Sequence, residues 1–256
     1  MKKVRFLGFL ILFLFFWWSV LAWLSKPLPF FKRKKEYQLQ KFLGVSLPPD
    51  YLIIYNSGGW GNASLEKVTD FRSVILGIKN ALNQQGYKSL IIPYIRARET
   101  LFGRVVGIKE VLSFFRSQSR YLAEQVDAFI KEYPDKKVII VGLSMGALFV
   151  DEVMKRVRKK SSVFAIKVGM PFYADHLSSE NIIEIKDKRD ALALGDTKVL
   201  FFSIIKGIKG WFAAKIKRKP FSFSKAMNIP GHHFYSWDCP DVKNQILDFL
   251  KDRCIE

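Results

Sequence analysis

Residues 137–157 read KVIIVGLSMGALFVDEVMKRV, and this stretch decides the fold. Lys137–Val141 carries four consecutive β-branched residues, the pattern of a strand covered on both faces. From Gly146 onward, apolar and charged residues alternate as in an amphipathic helix, expected over 146–159. Between them stands G-x-S-x-G, as Gly142-Leu143-Ser144-Met145-Gly146. The pentapeptide alone is a weak signal, because Gly and Ser are frequent. Its context, with an apolar strand before and a helix after, gives it meaning. A sharp strand-to-helix turn pushes the Ser144 hydroxyl clear of a sheet, and crowding leaves room only for Gly two residues to either side. The helix N-terminus then brings the Met145 N–H and the positive end of the dipole near any negative charge that develops there.

Working outward, short β-type runs alternate with longer helical patterns. Strands are expected at Tyr51–Tyr55, Ser89–Pro93, Lys137–Val141, Val163–Val168, Ile182–Ile185 and Phe221–Met227. Helices are expected over about 64–85, 117–133, 146–159, 191–217 and 240–252. This alternation argues for an α/β fold with a mostly parallel sheet and helices on both faces. The composition agrees: 49% hydrophobic and 25% charged over 256 residues excludes a disordered chain. Two cysteines, Cys239 and Cys254, cannot build a disulfide framework, and three histidines give a zinc site little to draw on.

The N-terminal residues follow different physics. Phe6–Ser25 is uncharged and almost wholly aliphatic or aromatic. Twenty helical residues span roughly 30 Å, about one bilayer core. Trp17, Trp18 and Trp23 lie toward one end, as indoles do at a headgroup interface. The division expected is a transmembrane anchor over 1–25, a basic, Pro-containing tether over 26–50 and a folded domain over 51–256. The rival is a cleaved signal peptide ending at Val20-Leu21-Ala22, disfavoured because the apolar run continues beyond it. Eight basic residues and no acid precede Glu36, leaving +11 of the formal +19 to the rest of the chain. Lys32-Arg33-Lys34-Lys35 beside a span is read as meeting anionic lipid headgroups. No zinc-finger, RNP or basic-zipper pattern is present, so no nucleic-acid partner is expected. Counting Lys and Arg on both flanks gives a weak bias toward a cytoplasmic C-terminal domain.

From Tyr51 to Leu250 the chain resembles the α/β-hydrolases, in the strand–G-x-S-x-G–helix unit quoted above and in the order of the parts that follow. That resemblance implies a Ser–acid–His triad with each member after a strand. Ser144 is the nucleophile it implies. The acid follows the strand Ile182–Ile185, where Asp190 is preferred over Asp187 and Asp196, although an Asp at a helix start is also an ordinary N-cap. The base lies in Ile229-Pro230-Gly231-His232-His233-Phe234. Gly231 favours His232, while counting back from Pro240 favours His233. His176 precedes the acid candidates and is read as an exposed loop histidine. Asn56-Ser57-Gly58-Gly59-Trp60-Gly61 resembles the His-Gly-Gly-Gly oxyanion loops of esterases, with Asn56 and Ser57 departing from the pattern. Gly59 or Trp60 N–H, together with Met145 N–H, is the expected oxyanion donor set.

The connection Gly169–Glu180 leaves no room for the cap domain many such enzymes insert. Arg96–Phe115 is read either as a lid or as a packed extra helix, and Thr197–Lys219 as a helix with an apolar and a basic side. The function implied is a membrane-anchored serine hydrolase acting on an ester or thioester of lipid-like character. Membrane lipids are the expected partner, and no cofactor or metal is called for. The alternative is a non-catalytic binding scaffold of the same fold. Full-length protein should therefore resist extraction by alkaline carbonate, whereas a fragment beginning near Glu36 should be released. Recovery of a mature chain starting at Trp23 would replace the anchor with a cleaved signal.

Overall fold

Among the described residues of the computed structural model, five strands form one sheet: β1 (Tyr51–Asn56), β2 (Ser89–Pro93), β3 (Lys137–Leu143), β4 (Val163–Val168) and β5 (Ile182–Ile185). All neighbouring pairs are parallel, in the order β2-β1-β3-β4-β5. The helices are α1 (Thr69–Gln84), α2 (Arg116–Glu132), α3 (Met145–Val157), the single turn α4 (Ala191–Leu194) and α5 (Pro240–Phe249). The residues described are 48–96 except 60, 62, 63 and 68; 110 and 113; 115–187 except 158, 174 and 175; 190–195; and 235–255. The apolar run 6–25, the segment 197–219, the strand expected at 221–227, Trp60, His232 and His233 lie outside the described residues. Among the described residues, no helix is long and apolar enough to cross a membrane.

Strand alternation divides the core in two. Tyr51, Ile53 and Tyr55 of β1, Ile139 and Val141 of β3, and Phe164, Ile166 and Val168 of β4 pack with Phe71, Val74, Ile75 and Ile78 of α1 and Val242 and Ile246 of α5. The intervening residues, such as Val138, Ile140 and Ala165, are equally buried on the side of α3, whose Leu148, Phe149, Val150 and Val153 are also buried. Both sheet faces are thus covered, which is why β3 reads as an apolar run and β4 as one broken only by Lys167.

Most element boundaries match the expectation, and the departures have local causes. The strand expected to end at Val141 continues to Leu143, because Gly142 and Leu143 pair with Lys167 and Val168 of β4. The helix expected over 64–85 divides into a 3₁₀ turn, Leu65–Lys67, and α1. The last helix ends in a π turn, Leu250–Cys254.

Strand order also places the site. The chain moves from β1 to β2 on one side, then returns to lay β3 on the other side of β1. In open α/β sheets the crevice beyond such a reversal, at the carboxyl ends of the strands, is where ligands bind. Here it lies between the loop after β1 and the turn after β3.

One buried charge network fixes the neighbouring β4–β5 connection. Lys167, fully buried in β4, donates to Asp151 Oδ1 of α3 at 2.7 Å and to the Leu177 carbonyl at 2.9 Å, with Glu184 at 3.4 Å. The Leu177 N–H donates to the same Asp151 oxygen at 3.0 Å. Burial alone would raise the Glu184 carboxyl, but Lys186, His176 and Lys167 leave it below its ordinary value. Removing one member of a buried ion pair strands the other in low dielectric, whereas replacing both with apolar groups does not. Lys167→Ala should cost about 3–5 kcal/mol in urea unfolding, and Lys167→Met combined with Asp151→Leu should recover most of that loss.

Candidate active site

The turn after β3 is one of two strained points of the described backbone. Ser144 sits at φ 53, and it and Phe115 are the non-glycine residues there with positive φ. Such a conformation costs of order 1–3 kcal/mol for a residue with a side chain. Ser144 holds it through two backbone bonds: its N–H donates to the Val168 carbonyl at 2.8 Å, and its carbonyl accepts the Leu148 N–H at 3.1 Å. The second bond opens α3, so the chain passes from strand to helix within one residue.

The glycines on either side are fixed by contact. A Cβ on Gly142 would lie 2.4 Å from the Gly146 carbonyl oxygen, and one on Gly146 would lie 2.3 Å from the Asn56 carbonyl oxygen and 2.8 Å from that of Ser57. These neighbours are backbone atoms and cannot swing away. The first turn of α3 is therefore pressed directly against the end of β1, as the G-x-S-x-G reading requires.

That approach brings the loop after β1 to the serine. A Cβ on Gly58 would come within 3.7 Å of the Ser144 Cβ. Gly58 thus stands against the nucleophile candidate, although the sequence reading chose its neighbours. Gly59 is exposed at φ 55, and the Gly61 N–H closes the turn onto the Gly58 carbonyl at 3.1 Å. Asn56, where the resembled loops carry His, is fully buried, and neither atom of its side-chain amide has a partner among the described residues. Met145 is the first residue of α3, and the Tyr173 hydroxyl donates to its sulfur at 3.2 Å.

Asp190 lies at the same carboxyl edge of the sheet, five residues beyond β5, and is fully buried. One carboxylate oxygen caps α4, accepting the Ala193 N–H at 3.1 Å. The other accepts the Tyr235 hydroxyl at 2.7 Å. Asp190 is therefore an N-cap whose carboxylate also accepts a phenol hydroxyl. Tyr235 in turn accepts the Asp187 N–H at 3.1 Å, tying both acid candidates to the chain just after His232 and His233. Burial and the Asp190 carboxylate hold the Tyr235 phenol in its protonated, donating form. No sequence pattern had singled out Tyr235; its signal is only that a tyrosine follows the histidine pair. Asp187 is half-buried, and its carbonyl accepts the Asp190 N–H. His176 is exposed and bonds Glu184 at 2.8 Å, in the charge network rather than at the serine turn.

Among the described residues four large apolar side chains are exposed, and all follow the carboxyl ends of strands: Ile95 after β2, Phe172 and Tyr173 after β4, and Leu194 after β5. Among the described residues no cluster of His, Cys, Asp and Glu is arranged to hold a metal.

No family model matches the chain, and no curated protein matches it in sequence. Among solved structures, the chain is similar to a Trichoderma reesei cutinase in complex with a C11Y4 phosphonate inhibitor, at 15% identity and a TM-score of 0.45, covering 62% of this chain and 73% of that one.

Proposed function

We propose that the protein is a serine hydrolase that cleaves an ester or thioester through an acyl-enzyme. The observation that carries this reading is the positive-φ Ser144 between two glycines that have no room for a Cβ. A packed βα turn with no function has no need of a serine held in a strained conformation, whereas a nucleophile gains a fixed hydroxyl at the carboxyl end of the sheet, where Ser144 is buried at 8% exposure.

Ser144 Oγ attacks the carbonyl carbon while His232, with His233 as the alternative, takes its proton. The tetrahedral oxygen lies toward Gly59 or Trp60 N–H and Met145 N–H, with Gly58 N–H added by its place against Ser144. Collapse breaks the carbon–oxygen or carbon–sulfur bond, and the imidazolium returns the proton to the leaving group. Water, deprotonated by the same histidine, then releases the acid and restores Ser144. Asp190 holds the imidazole tautomer, steadied by Tyr235. One oxyanion donor is typically worth about 2.7–4 kcal/mol of transition-state stabilisation.

The substrate class rests on the rim. Exposed Ile95, Phe172, Tyr173 and Leu194 at the carboxyl edge suit an apolar acyl chain. With the apolar run 6–25 read as a single-pass anchor, that rim works beside a bilayer, and the acyl group is lipid-like. Which side of the membrane the domain occupies rests only on the charge bias of the flanks.

Ser144→Ala should lower kcat for a short-chain p-nitrophenyl ester by something on the order of 10⁶ if the triad acts as a unit, with little change in stability. His232→Ala should reduce turnover more than His233→Ala; the reverse order moves the base to His233 and leaves the mechanism standing. Asp190→Asn should be more damaging than Asp187→Asn, because only the true partner fixes the tautomer. Equal, mild losses from both would remove Asp190 from the triad. Wild-type turnover that survives Ser144→Ala would end the hydrolase reading in favour of the binding scaffold.

A further inference from the structure

Arg96 lies three residues beyond β2, where the sequence suggested only the start of a lid or an extra helix. It is buried, at 6% exposure, and is built into the site at every end. Its backbone N–H donates to the Gly61 carbonyl at 2.8 Å, and its own carbonyl accepts Gln118 Nε2 at 2.9 Å. One terminal nitrogen of the guanidinium donates to the Ser57 carbonyl at 2.6 Å and to the Gly59 carbonyl at 3.3 Å. The other donates to the Met145 carbonyl at 3.3 Å. The cation lies over the Phe115 ring at 4.8 Å and near the Phe149 ring at 5.7 Å. A Cβ on Gly61 would lie 2.3 Å from Arg96 Nε, so the loop needs glycine there to admit the side chain.

A buried guanidinium usually faces a carboxylate. Among the described residues Arg96 makes no ion pair, and its polar contacts are backbone carbonyls. Burial pushes its pKa down to about 10, which still leaves it charged at neutral pH. The carbonyls it collects are not arbitrary. Two belong to the loop after β1 and one to the first turn of α3, the two segments that supply the oxyanion donors in the reading above. In a trans peptide the C=O and N–H point in opposite directions. Drawing the Ser57 carbonyl toward the cation therefore turns the Gly58 N–H away from it, and the Gly59 carbonyl fixes the next-but-one peptide in the same manner.

We propose that Arg96 is a positioning residue of this site, which clamps the carbonyls of Ser57 and Gly59 so that the amides following them are aimed before substrate arrives, and which ties that loop to the start of α3 through the Met145 carbonyl. The proposal rests on the hydrolase reading. Arg96 does not touch the substrate; it acts through the peptides it holds. Lysine is a poor replacement, because a compact ammonium cannot span three carbonyls with a planar fork.

The test measures kcat and KM separately for a short-chain p-nitrophenyl ester, with near-ultraviolet circular dichroism as the folding check. Preorganised donors act on the transition state, so folded Arg96→Met should lose about 10²-fold in kcat, with KM within about threefold of wild type. In Arg96→Ala, guanidinium ion at tens of millimolar should restore at least a tenth of the lost kcat. If Arg96→Met is recovered unfolded, Arg96→Lys carries the same comparison, with at least a tenfold loss in kcat at unchanged KM expected. Folded Arg96→Met, or in its place folded Arg96→Lys, with kcat within threefold of wild type would overturn the proposal while leaving Ser144 as nucleophile. A loss that guanidinium does not restore in folded Arg96→Ala would overturn it equally. Wild-type turnover that is unaffected by Ser144→Ala would overturn the hydrolase reading and this proposal together.

Discussion

The contact between the first turn of α3 and the end of β1 is the constraint on which the other features depend. Gly146 lies so close to the Asn56 and Ser57 carbonyls that no side chain fits, and Gly142 lies as close to Gly146. This approach holds Ser144 in its left-handed conformation at the end of β3 and brings Gly58 beside it. It also defines the space into which Arg96 reaches. Parallel pairing of β1 with β3 sets the height of both loops, because Asn56 is in register with Gly142. A one-residue slip would put opposite faces together and separate the loop from the turn.

Two buried cations stabilise this arrangement by different chemistry. Lys167 is a point charge between carboxylates, joining β4, α3 and the connection after β4 through Asp151, Glu184 and the Leu177 carbonyl. Arg96 is a planar fork among carbonyls, joining the loop after β1 to the start of α3. Among the described residues Arg96 and Lys167 are the two buried basic side chains, near the carboxyl ends of β2 and β4. Tyr235 gives Asp190 a similar support, since its hydroxyl takes one oxygen of the carboxylate while α4 takes the other.

Legibility in the sequence followed the range of the interactions. β1 to β5 were readable because runs such as VIIV at 138–141 and the β-branched segment at 163–168 state their burial locally. G-x-S-x-G was readable for the same reason: the glycines and the serine they flank are within five residues of one another. Strand ends were less so. Leu143 belongs to β3 only because Val168 pairs with it, 25 positions later. The supports of the site are longer-range still. Arg96 contacts carbonyls 37 to 49 residues away, and Tyr235 reaches Asp190 across 45 residues. Nothing in the composition of RARETLFGRVV marks Arg96 as buried. Lys167 carried a signal that was available, a lysine inside an otherwise apolar strand, which demands a buried partner. A run of glycines does not say which of them lies beside Ser144; the place of Gly58 there is set by the packing of β1 against α3.

The central claim is that Ser144 is an activated nucleophile, and a fluorophosphonate tests it without knowledge of the substrate. Phosphonylation requires the hydroxyl to be exposed to the phosphorus, deprotonated by a base and faced by oxyanion donors, so an inert serine in a packed turn does not react. Incubation of the folded protein with detergent present, followed by mass-spectrometric mapping of the adduct, should show a single phosphonyl group on the peptide that carries Ser144. A folded protein that remains unmodified at neutral and mildly alkaline pH, or that carries the adduct on a different serine, would contradict the account.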